Sequence, residues 1–111
     1  MMIGDYDLYS IETSEFRLDG GAMFGIIPKT MWTKFSPSDD LNRNHLVTRS
    51  LQLVNKKRKI LIDTGNGTKW EQKYKLIYQI DTSLYSIEAS LNKFGYTSED
   101  ITDVILSLIH I

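Results

Sequence analysis

Asp63 stands where the apolar run Ile60-Leu61-Ile62 gives way to Thr64-Gly65-Asn66-Gly67. A carboxylate at the exit of an apolar strand is placed where chemistry is often done, although alone it can equally cap a turn. The glycine pair would suit a phosphate if a helix began at once. The dinucleotide fingerprint needs a third glycine where Trp70 stands, and no preceding unit supplies its βαβ context. His110 lies between Ile109 and Ile111. A lone imidazole in such an apolar run is more often structural than a ligand. His45 sits in a polar stretch beside Asn42 and Asn44 and is assigned no role. Lys56-Lys57-Arg58-Lys59 is the basic cluster of the chain. No aromatic residues interleave with it, so it reads as solvated charge at a hairpin tip, and nucleic acid is not an expected partner. No hydroxyl nucleophile with an adjacent base stands out.

The elements that must position these residues are mostly strands in the first half. Tyr6, Leu8 and Ser10 alternate with Asp7, Tyr9 and Ile11, and Phe16 and Leu18 alternate with Glu15, Arg17 and Asp19. Thr13-Ser14 between them predicts a tight turn. Gly20–Gly25 predicts a loop or bulged strand lying over something. Lys29–Ser36, bracketed by Pro28 and Pro37, predicts a short irregular or one-turn helical excursion, and Ser36–Asp40 a turn cluster. Asn44–Val54 and Lys59–Asp63 form a hairpin about Asn55–Arg58. Lys69–Ile80 is at least partly helical. Leu84, Ile87, Leu91 and Phe94 recur at helical spacing, with Gly95 as C-cap. Thr97–Asp100 turns the chain into Val104-Ile105-Leu106, a strand of the fully buried type.

Composition narrows the class. The 111 residues carry a net charge of −1, with 41% hydrophobic, 11% aromatic and 24% charged side chains and no Cys. That balance excludes a disordered tail and gives no global pull toward nucleic acid or acidic lipid. The lack of Cys removes disulfides, thiolate metal sites and cysteine nucleophiles. The N-terminus has no basic-then-apolar leader, and no apolar run is long enough to span a bilayer. These features point to a cytoplasmic protein without a membrane partner. One domain, or part of one, accounts for residues 1–111.

In order, Ile60-Leu61-Ile62-Asp63-Thr64-Gly65, a helical stretch, and Glu99-Asp100-Ile101-Thr102-Asp103-Val104-Ile105-Leu106-Ser107 resemble the metallo-β-lactamase superfamily. There a strand ending in Asp-Thr-Gly precedes a helix, and the next strand ends in Thr/Ser-His-x-His-x-Asp-His. Phe16-Arg17-Leu18-Asp19-Gly20-Gly21-Ala22-Met23-Phe24-Gly25-Ile26-Ile27-Pro28-Lys29 is similar to the branch of quorum-quenching lactonases. The resemblance implies an α+β fold, the N-terminal half of an αββα sandwich cut in its metal-motif strand. It also implies two metal ions, most often zinc, that activate water against a small-molecule lactone or similar ester or amide. Asp63 would orient metal ligands or their loop, and Met23 and Phe24 would wall the substrate pocket.

The metal motif itself departs from that pattern. Ser107-Leu108-Ile109-His110-Ile111 places Leu108 at the first His position and His110 at the second. One imidazole cannot hold a catalytic metal, which takes about three protein ligands. The expectation is an inactive fragment that self-associates through an exposed C-terminal strand. The alternative is a non-catalytic β-rich module that docks on a second chain supplying the missing half.

Overall fold

The computed structural model describes residues 1–108. Its elements are β1 (Met2–Ile3), β2 (Tyr6–Asp19), α1 (Gly20–Phe24), α2 (Lys29–Trp32), β3 (Arg43–Val54), β4 (Lys59–Ile62), α3 (Gln72–Tyr78), α4 (Ile87–Lys93), a 3₁₀ turn at Ser98–Asp100 and β5 (Asp103–Ile105). The described strands form one sheet in the order β1-β2-β3-β4-β5. The first three pairings are antiparallel, and β5 joins β4 in parallel. A parallel neighbour needs a crossover, which α3 and α4 supply. The result is a mixed α+β fold with few helices.

The long β2–β3 hairpin is the spine of the molecule. It runs from Asp7↔Val54 to Asp19↔Arg43 with one irregularity, between Glu12 and Ser14. Thr13-Ser14 is therefore a bulge inside a continuous strand, and the expected turn is absent. Its hydroxyls find partners across the pair on Thr48, so the chain has no reason to reverse there. Beyond the bulge, β2 also exchanges backbone hydrogen bonds between Glu15 and Asp81.

Gly20–Phe24 is helical where a loop or bulged strand was expected. The Asp19 carboxylate accepts the Ala22 N–H at 2.8 Å and starts the turn. Gly20 then lies against Trp32 and Asn44, where a Cβ would collide with both. The expected one-turn helix after Pro28 forms at Lys29–Trp32, and the helical stretch after Gly67 narrows to Gln72–Tyr78.

One face of the sheet packs on α4. Ile11, Leu61 and Leu91 are buried together, flanked by Tyr9, Ile87, Phe94, Tyr96 and Ile101. Ser50 and Gln52 share that buried face, while Leu51 and Leu53, pointing the other way, are half-buried. At the last described strand the expectation of full burial fails. Val104 is 52% exposed and Ile105 51%, because β5 is the outer strand of the described sheet.

Candidate functional site

The strand-end acid is held in an unusual backbone conformation. Asp63 has φ +62°, the left-handed region that Asp tolerates better than most side chains. Its N–H donates to the Ile105 carbonyl at 2.8 Å, closing the parallel ladder at the ends of β4 and β5. Its carboxylate turns back over that junction. Asp63 Oδ1 accepts the Ser107 N–H at 2.9 Å and the Ser107 Oγ–H at 3.0 Å, with Oδ2 at 2.8 Å from the same hydroxyl. The Ser107 backbone N–H, followed by its hydroxyl, holds the carboxyl below the usual carboxylate range, against a smaller opposing effect of desolvation. Asp63 is thus ionised at neutral pH and clamps the residue immediately before Leu108.

The loop behind Asp63 is seated on the β2 bulge. Asn66 Nδ2 donates to Ser14 Oγ at 3.2 Å, and Ser14 Oγ and Thr13 Oγ1 lie 2.8 and 2.6 Å from Thr48 Oγ1. The Trp70 indole N–H donates to the Asn66 carbonyl at 2.7 Å. Beyond this seat, Trp70, Tyr74 and Tyr78 face Phe16, Leu18 and Ile80 across a groove of about 390 Å³.

Met23 and Phe24, the expected pocket walls, lie on α1 past the end of β2, roughly 20 Å along the strand from Thr13 at ~3.3 Å per residue. Phe24 stacks on Trp32 at 4.8 Å, and Met23 is exposed. His110 lies outside the described residues. Leu108 is 78% exposed and has no donor atom in its side chain. Among the described residues no three His, Asp or Glu side chains converge, so their donor set does not fit a metal ion. His45 pairs instead with Glu15, Nε2 to Oε1 at 3.3 Å, on the surface.

The clamp's partner Ser107, the bulge hydroxyls, Asn66 and the groove aromatics were not singled out from sequence. Trp70, Tyr74 and Tyr78 do recur every four residues, the one pattern that could have exposed the groove.

With this geometry, the chain superposes on a probable metal-dependent hydrolase from Staphylococcus aureus with a TM-score of 0.82 and 30% identity over 99% of its length. It spans 40% of that protein. No protein-family profile matches the sequence, and no curated protein does. The fold is therefore that of part of a hydrolase-like domain. Among the described residues no helix is long and apolar enough to cross a membrane.

Proposed function

We propose that these residues form the N-terminal part of a metallo-β-lactamase-like hydrolase of the lactonase type, with Asp63 fixing the strand end that carries the metal motif. The observation behind this reading is the Asp63–Ser107 clamp. A buttressing carboxylate bonds the residue immediately before the motif, in a fold shared with a probable metal-dependent hydrolase. In the intact site, metal ions, zinc by this reading, would supply an activated water and polarise a lactone or ester carbonyl. The role of this chain is positional: Asp63 sets the direction in which the chain leaves β5.

The 111 residues by themselves are expected to be inactive, because Leu108 offers no ligand and His110 is a single one. Calorimetric zinc titration and a lactone-opening assay, with and without chelator, test this. The expected result is no stoichiometric zinc at micromolar concentration and no turnover. Leu108→His alone should leave both unchanged, whereas the same change in a chain continued by the hydrolase's C-terminal part should restore both. Tight zinc binding or chelator-sensitive turnover by the 111 residues would overturn the inactive reading. Failure of the continued chain to bind zinc would overturn the family reading.

The half-exposed β5 favours the expected self-association: Val104, Ile105 and Leu106 offer an apolar edge to a second copy of the chain. Val104→Lys should lower self-association in sedimentation velocity without altering the melt. Equal association by both proteins would remove β5 as the contact.

A further inference from the structure

We infer that Thr13, in the bulge of β2, is a positioning residue for Asp63: with Ser14 and Thr48 it forms a hydroxyl seat on which the Gly65 backbone and the Asn66 side chain rest. This rests on the reading of the β4–β5 strand ends as the metal edge, and extends it to a residue 50 positions earlier in the chain.

Thr13 and Ser14 are buried, and a buried hydroxyl costs free energy unless it is bonded. Valine suits a strand at least as well as threonine, so sheet formation alone gives no reason for hydroxyls here. Each is bonded. Thr13 Oγ1 lies 2.6 Å from Thr48 Oγ1 and donates to the Thr48 carbonyl at 3.3 Å. Thr48 Oγ1 lies 2.8 Å from Ser14 Oγ, which accepts from Asn66 Nδ2. On the far side of the bulge, the Ser90 hydroxyl of α4 donates to the Glu12 carbonyl at 2.5 Å, so the seat is fixed to the helix that closes the core.

Gly65 completes the fit. A Cβ there would come within 2.8 Å of the Thr13 Cβ, and its φ of +72° also favours glycine. The loop backbone therefore lies directly on the Thr13 side chain. Only Thr64 separates Gly65 from Asp63, so a shift of the seat moves the left-handed residue whose carboxylate holds Ser107. The sequence of contacts runs from Thr48 through Thr13 and Ser14 to Gly65 and Asn66, then to Asp63 and Ser107.

The test compares the full chain with Thr13→Val, which keeps the shape and removes the hydroxyl, and Thr13→Ser, which keeps the hydroxyl. Thr48→Val serves as a second disruption from β3. Amide hydrogen exchange by mass spectrometry is followed in peptides covering 60–70 and 103–108, beside the melting temperature. Thr13→Val should speed exchange about tenfold in both segments, the size of one lost buried hydrogen bond, while peptides from α4 exchange as before. Thr13→Ser should restore both segments, and Thr48→Val should repeat the valine result. Exchange at 103–108 unchanged by both valine variants would overturn the inference. So would an equal rise in every peptide, which marks a merely structural role. Neither outcome bears on zinc binding by the continued chain, so the two readings fail separately.

Discussion

Helices α3 and α4 are both seven residues long and both belong to the crossover between β4 and β5, yet they are held in opposite ways. The α4 helix is seated by burial. Its N-cap Ser86 accepts the Ala89 N–H, and Leu91, only 1% exposed, fills the space between Ile11 and Leu61. The α3 helix buries no residue and has no side-chain N-cap. It is held at its carboxyl end, where Arg43 Nη1 donates to the Leu76 and Ile77 carbonyls at 3.1 and 2.8 Å. Arg43 is itself held by Asp39, whose carboxylate accepts its N–H at 2.8 Å and its Nε–H at 2.9 Å. A helix of seven residues does not persist alone in water, so each needs an external hold. One hold is a buried apolar face; the other centres on a guanidinium at the helix's carboxyl end, beside the open aromatic groove.

The contrast can be broken at either end. Leu91→Ala should have the largest effect, about 2–5 kcal/mol of global stability, because it opens a cavity at the centre of the core. Urea denaturation followed by circular dichroism measures it, and a loss below 1 kcal/mol would mean that α4 does not close the core. Arg43→Ala should cost less, roughly 1–2 kcal/mol, and locally. Exchange should rise in peptides from α3 while those from α4 stay protected; a uniform rise would show that α3 is part of the same cooperative unit.

The smallest effect is acid sensitivity. The Arg43 N–H, with further bonds from its side chain and from the Leu41 N–H, holds the Asp39 carboxyl below its usual value despite opposing desolvation. A carboxyl depressed in the folded state contributes stability that is fully present above its unfolded value, ~3.9, and is lost as pH falls through the lower folded value. The seat of α4, made of Ile11, Leu61 and Leu91, has no such group. As pH falls below about 4, α3 should therefore loosen before α4. Exchange of the two helices along an acid series reads this directly, and Asp39→Asn should remove the difference.

That contrast also explains what could be read from sequence. Ile87, Leu91 and Phe94 announced α4 because burial leaves a periodic apolar trace. The hairpin from Asn44 and its turn at Asn55 were legible for the same reason, as was Asp63 from its place after Ile60-Leu61-Ile62. Arg43 left no trace, since a guanidinium that caps a helix 33 residues later looks like any surface charge. The bulge at Thr13 was hidden because Thr-Ser between two alternating runs is also turn chemistry. The α1 helix was missed because its Gly20-Gly21 start argues against a helix until Asp19 caps it. At the candidate site, the acid was visible and its seat was not, because the seat is assembled from two strands and a loop.

The parallel pairing of β4 with β5 has a consequence for the order in which the molecule assembles. Val54 meets Lys59 across a four-residue turn, and Arg43 meets Asp19 over a modest loop, so the antiparallel pairs can form early. Ile62 meets Ile105 only after the whole crossover has been laid down. Closing that longer loop costs more entropy before any ladder bond compensates. The Asp63–Ser107 clamp, which joins residues 44 apart, is therefore expected to close after the β3–β4 hairpin. Late closure would make the candidate site a reporter of the crossover: the carboxylate can reach its serine only once β5 lies beside β4.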